Sequence, residues 1–210
     1  MNNISFLTKT KTNATNNKFE ILGLASCNLW HFPDFLRNQD QLQYLDLSYN
    51  NIHGQMPEWV WNTSKETLKI VNFSYNFLTS VDYHLVNFPW PELQVLDFRS
   101  NKLQALPQNP PPSTLMYLVA DNELQGEISP LICKLSSIYS LDFSNNKFKG
   151  ILPHCLSNLS KSLNILNLRG NNFHGMIPQL CAKGSRMRMI DFGKNQFEGF
   201  YQDRYQIVEW

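Results

Sequence analysis

The chain is short of the features from which function is usually read. It has only four cysteines in 210 residues, too few for a disulfide-dense scaffold, and no Cys-x-x-Cys pair to suggest zinc or thiol-redox chemistry. Charged residues make up 17% and the formal net charge is +1, with Lys and Arg scattered, which removes the electrostatic case for nucleic acid or anionic membrane. No stretch approaches the roughly 18 consecutive apolar residues of a membrane helix, so no direct membrane insertion by this chain is expected. No apolar segment follows Met1, and Lys11–Asn17 is polar, so no signal peptide is visible. Gly-x-Ser-x-Gly, the phosphate-binding Gly-x-x-x-x-Gly-Lys-[Ser/Thr], His-Glu-x-x-His and the kinase signatures are all missing. His31, His53, His84, His154 and His174 are scattered, with His53 and His174 in surface loops. The expectation is a chain that is not an enzyme, with no cofactor, no metal and no intrinsic kinase activity.

What the sequence has instead is one phrase repeated eight times: an apolar residue, two variable residues, then apolar-x-apolar-x-x-Asn-x-apolar. Leu42-Gln-Tyr-Leu45-Asp-Leu47-Ser-Tyr-Asn50-Asn-Ile52 and Leu163-Asn-Ile-Leu166-Asn-Leu168-Arg-Gly-Asn171-Asn-Phe173 are clear copies. The key residue falls at Cys27, Asn50, Asn76, Asn101, Asn122, Asn146, Asn171 and Asn195, with spacings of 23, 26, 25, 21, 24, 25 and 24. This is the leucine-rich-repeat period. The fold expected is an α/β solenoid, a curved right-handed repeat array with a parallel β-sheet on its concave face and no caps. Each strand carries two inward residues, two apart, because strand side chains alternate faces. In the fifth repeat Leu118 tempts a later register, but counting back from Asn122 puts Tyr117 and Val119 inward. Leu115, Met116, Leu118 and Ala120 would then form an outward apolar group, either exposed or covered by the Pro-rich segment before it. The Asn residues make a ladder whose amides serve loop backbone groups, and Cys27 fills the same slot.

A second phrase, Gly-x-apolar-Pro, follows the Asn at Gly54-Gln-Met56-Pro57, Gly150-Ile-Leu152-Pro153 and Gly175-Met-Ile177-Pro178, with Gly126-Glu-Ile128-Ser as a variant. It marks the plant-specific subclass of these repeats. Repeats three and four lack it, and the solenoid should be irregular there. The proposed domain limits are a polar segment at 1–17, the repeats at 18–201 and a divergent tail at 202–210.

Cys133 and Cys155 lie 11 and 9 residues after their ladder Asn on adjacent coils, close enough for a disulfide in an oxidising compartment. Cys181, on the next coil, competes for Cys155. Glycosylation acceptors occur at Asn3, Asn13, Asn62, Asn72 and Asn158. Asn62 and Asn158 fall on the back of the solenoid and Asn72 on its concave sheet.

Outward strand positions form the candidate interaction surface. One column contains Asp46, Asn72, Asp97, Asp142 and Asp191, mostly in an Asp-then-Ser phrase that can be explained as hydrogen-bonded scaffold. Departures from that phrase are Arg99 and Arg169, in place of Ser, and the adjacent Tyr49 and Tyr75. Tyr and Arg are enriched at binding hot spots. An Arg–Asp ladder is the alternative for Arg99.

The stretches Asn38–Pro57, Pro110–Thr114, Gly126–Ser137, Asn171–Pro178 and Met189–Gly199 resemble the ectodomain of plant leucine-rich-repeat receptor-like proteins, the class that includes fungal-resistance receptors. The resemblance covers about residues 17 to 199 and implies a binding module for a protein, peptide or glycan ligand, signalling through a separate co-receptor kinase. It implies the extracellular face of the plasma membrane. The family's signal peptide, cysteine caps and membrane helix are not visible here, so the chain reads as an internal piece of such a protein. The alternatives are a soluble polygalacturonase-inhibitor-like protein, or a truncated non-signalling remnant or decoy.

Overall fold

The computed structural model describes residues 18–81, 87–107, 109–180 and 184–199. Asn3, Asn13, His84, Cys181 and the tail at 202–210 lie outside them.

Each repeat contributes one short strand to a parallel eight-stranded sheet: Ile21–Gly23, Tyr44–Asp46, Ile70–Asn72, Val95–Asp97, Met116–Leu118, Ser140–Asp142, Ile165–Asn167 and Met189–Asp191. The strands follow one another in chain order. Their register stacks Leu22, Leu45, Val71, Leu96, Tyr117, Leu141, Leu166 and Ile190 into one inward column. A second column, Leu24, Leu47, Phe73, Phe98, Val119, Phe143 and Leu168, is buried behind it. Burying a side chain of this size contributes about 2 kcal/mol, and a solenoid can do so only against the next coil.

The Asn ladder repeats with constant geometry. Asn50 Nδ2 donates to Leu24 O, Leu47 O and Ser48 O, while its Oδ1 accepts from the backbone N–H groups of Cys27 and Leu29. One amide thus satisfies backbone groups of two coils that would otherwise be orphaned by the turn. Asn146 does the same with Val119 O, Phe143 O, Ser144 O and Leu124 N–H. Cys27 reproduces part of this, its thiol lying 3.5 Å from Ala25 O.

The residue before each ladder position takes the left-handed conformation: Ser26, Tyr49, Tyr75, Ser100, Asp121, Asn145 and Lys194 have φ between 51° and 55°, and Gly170 has 68°. Their N–H groups are bonded along the array, as from Tyr49 N to Ser74 O and from Tyr75 N to Arg99 O. The ladder therefore sustains a conformation that β-carbon residues avoid.

A second, lateral ladder was not anticipated from the sequence. Gln125–Gly126, Lys147–Gly150, Asn172–Met176 and Gln196–Glu198 form a parallel sheet, and His53–Gln55 pairs separately with Phe77–Ser80. The fourth residue after the ladder Asn is a glycine in most of these strands: Gly54, Gly126, Gly150, Gly175 and Gly199, with φ from 75° to 107°. At Gly54 and Gly126 an added methyl would meet nothing within 4 Å, so backbone conformation selects glycine, not space. Repeat three has Ser80 there and its register shifts; repeat four has Ala105, and no lateral strand forms among its described residues.

The apolar residue of the second phrase does plug the core: Met56, Ile128 and Leu152 are buried. Pro57 and Pro130 introduce the helix Glu58–Asn62 and the 3₁₀ segment Pro130–Lys134. Repeat three packs Trp90 beneath its irregular back, its ring 4.9 Å from Trp61 and its Nε1 donating to Thr63 O. Cys133 and Cys155 are joined, with Cα atoms 5.9 Å apart across adjacent coils. Cys27 is a buried free thiol. No helix among the described residues is long and apolar enough to cross a membrane.

Candidate binding surface

The concave face is built from the strand residues that point away from the core. Asp46, Asp97, Asp142 and Asp191 each accept, through Oδ1, the backbone N–H two residues on: from Ser48, Arg99, Ser144 and Gly193. Asn72 does the same for Ser74 and also accepts from its hydroxyl. These side chains terminate the strands, which commits their oxygens to the scaffold. Asp46 additionally accepts from Tyr44 Oη; burial, then the nearby carboxylate, pushes that phenol up.

Leu118 and Ala120 decide between the two alternatives open for the outward apolar group. Both are buried, at 7% and 3% exposure, so that group is not an open patch. Leu118 lies in register between Asp97 and Asp142. Leu115 alone of that group is exposed. Tyr117 faces inward as counted, edge-on to Phe88 and Phe143, and burial pushes its phenol well up.

The two arginines are held by carboxylates. Arg99 Nε and Nη2 donate to Asp97, the shortest contact being 2.6 Å, and this hydrogen bonding raises the guanidinium further. Asp97 is buried while Arg99 remains partly exposed. Arg169 Nη1 reaches Asp191 at 3.3 Å, and Gly193 leaves the room its guanidinium occupies.

Tyr49 and Tyr75 differ from everything around them. Their rings stack in parallel, centroids 4.2 Å apart and planes 8° from parallel. They are 57% and 43% exposed, which is far from the burial such rings normally find. Hydrogen bonding to Tyr75 pushes the Tyr49 phenol above its ordinary range. Bulky residues are rare at left-handed positions, so the pair is costly to the fold and offers it no burial. Around it the surface is low: Gly23, Ala25 and Ser26 precede it, and Ser100 and Ala120 follow.

Among the described residues no group of three or more His, Cys, Asp or Glu could hold a metal ion. What the sequence did not reveal is a lateral cluster. His31 and His53 ring centroids are 5.0 Å apart, with Trp30 edge-on to His53 at 6.1 Å. The signal was available in their offsets from Cys27 and Asn50, four and three residues.

Leucine Rich Repeat family models match residues 41–63, 137–159 and 162–183. Receptor-like protein 6 of Arabidopsis thaliana is 37% identical over 73% of this chain and 15% of its own length. Receptor-like protein 7 of the same plant is 38% identical over 74% of this chain and 16% of its own length. The chain thus spans a small part of these relatives. The crystal structure of PEPR1-AtPEP1 superposes with a TM-score of 0.73 at 25% identity, over 85% of this chain and 25% of that one. A TDR receptor structure gives 0.71 at 25% identity, over 87% and 31%. With its eight-coil solenoid, its Asn ladder and these relatives, the chain belongs to the plant leucine-rich-repeat receptor-like proteins.

Proposed function

We propose that this chain is a non-catalytic recognition segment whose concave face takes up a peptide or protein ligand around Tyr49, Tyr75 and the Arg99–Asp97 pair. The stacked tyrosine pair carries the reading: it is exposed, preorganised and unfavourable to the backbone that displays it. Rigid aromatic rings give contact area at low entropic cost. Arg99, fixed by Asp97, supplies a directed donor beside them. The carboxylate column contributes structure instead, and Arg169 with Asp191 forms a second, weaker candidate. In the whole protein the bound ligand would be read by a separate co-receptor kinase at the extracellular face of the plasma membrane. Asn62 and Asn158, exposed on the convex side, are the glycan acceptors that leave this face open. Asn72 has its amide oxygen committed.

Selection of a random peptide display library on the chain tests the proposal. Enriched peptides should bind at least tenfold more weakly to Tyr49→Ala/Tyr75→Ala and to Arg99→Ala, and unchanged to Lys194→Ala. Peptides indifferent to all three sites would overturn it.

A further inference from the structure

A second candidate site lies on the lateral face, between repeats one and two. His53 and Gln55 project from the lateral strand His53–Gln55, whose glycine lies between them. At the fourth position after the ladder residue, repeat one has His31 where repeat two has Gly54, and so places a ring against its neighbour. The segments Asp34–Asn38 and Glu58–Asn62 close the other side with Asp34, Arg37 and Trp59. The result is a cavity of about 200 Å³, the size of a single ring and smaller than the usual drug-sized pocket. Trp30, 58% exposed, does not line the cavity itself but lies edge-on to His53, ring centroids 6.1 Å apart.

Each wall offers a distinct chemistry. The Arg37 guanidinium lies 4.3 Å over the Trp59 ring and meets Asp34 Oδ1 through Nε at 3.3 Å. That pair is exposed and long, hence weak, and among the described residues the Nη edge of the fork makes no hydrogen bond. A planar guanidinium held flat on an aromatic ring is preorganised for a carboxylate. His53 Nδ1 lies 3.2 Å from Asn51 O, a carbonyl that can only accept, which leaves Nε2 as the ring nitrogen free of that bond. Asp34 accepts as well, and the Gln55 amide does both. The Trp30 face is apolar.

We propose that this cavity binds a carboxylated pyranose, a uronate residue of an acidic oligosaccharide. Arg37 takes the carboxylate, His53 Nε2, Asp34 and Gln55 take ring hydroxyls, and Trp30 covers the apolar face of the sugar. An acidic peptide would also meet Arg37, but it offers one N–H donor per residue along an extended chain, where a pyranose presents several hydroxyls around a single ring the size of the cavity. The inference does not rest on the concave-face reading, since the two sites share no residue.

Isothermal titration of the chain with a trimer of α-1,4-linked galacturonic acid, and with its methyl ester, tests it. The acid should bind saturably and the ester at least tenfold more weakly. Trp30→Ala and Arg37→Gln should each weaken the acid at least fivefold, with circular dichroism unchanged, while Tyr49→Ala/Tyr75→Ala leaves it as it was. No saturable binding of the acid, equal binding of the ester, or an affinity indifferent to both Trp30→Ala and Arg37→Gln overturns the proposal.

Discussion

The concave ladder runs through every repeat, whereas the lateral ladder breaks at repeat four. Both are parallel, both join the same coils, and they differ in what holds the turn. On the concave side the Asn amide ties each coil to the one before it, whatever residue precedes it. That is why Tyr49, Tyr75 and Lys194 can all occupy a left-handed position there. On the lateral side the ladder amide bonds only the strand's opening N–H groups, as from Phe148 and Phe173 to the Asn Oδ1 of the next coil, and the turn that follows uses a glycine with positive φ in most repeats. Ala105 cannot supply it cheaply, and the ladder stops. A turn tied by a side chain tolerates variation beside it, and so can carry ligand-specific residues. A turn that relies on a left-handed backbone tolerates less: with Ser80 in that place the register shifts, and with Ala105 there is no lateral strand among the described residues.

The largest effect expected concerns the amides. Asn146→Ala removes three donated bonds and the acceptor for Leu124 N–H, orphaning buried groups. It should lower stability by about 3–5 kcal/mol, read by urea denaturation. Asn195→Ala, at a partly exposed ladder position, should cost about 1 kcal/mol. Equal losses would mean that burial does not set the strength of the ladder.

Next comes the covalent tie on the back. If Cys133 and Cys155 are oxidised in the expressed chain, Cys133→Ala/Cys155→Ala should cost about 3 kcal/mol, seen as a lower melting temperature than the parent and no further drop with reductant.

The glycine argument is sharpened by a pair of variants. Gly126→Ala has room for its methyl but not the conformation, and should cost about 1 kcal/mol. Ala105→Gly should change stability by less than about 1 kcal/mol, because one freed turn does not restore the missing strand. If Gly126→Ala were silent in the same melt, φ would not be what separates the two ladders.

The smallest effect is in alkali. Burial raises the Tyr117 phenol above the ordinary phenol value near 10, so the folded state holds the proton more tightly than the unfolded chain. Its contribution is complete below pH 10 and is lost as pH rises beyond it. Tyr117→Phe should flatten the fall in melting temperature above pH 10 and leave it unchanged at pH 7.

Several of these features were legible beforehand and others were not. The inward pairs followed from period two, and counting from Asn122 placed Tyr117 correctly despite Leu118. The offsets of Cys133 and Cys155 on adjacent coils, 11 and 9 residues, permitted their pairing but left Cys181 as a competitor, and the structure joins the first two. The burial of Leu118 and Ala120 did not follow from the pattern, because the exposure of an outward strand residue is a property of the assembled coils. The Arg–Asp ladder was one of two readings open for Arg99, and the structure pairs it with Asp97.

By itself, the sequence determined the coil, its register and its core, since a period near 24 residues with fixed apolar and Asn positions admits one way to bury them. The tertiary structure alone decided which surface residues meet. Tyr49 and Tyr75 stack, and His31 reaches His53, only because consecutive coils bring residues more than twenty positions apart side by side. Local pattern constrains what a coil buries, but surface contacts lie between coils, where small differences in turn conformation set which side chains come within reach.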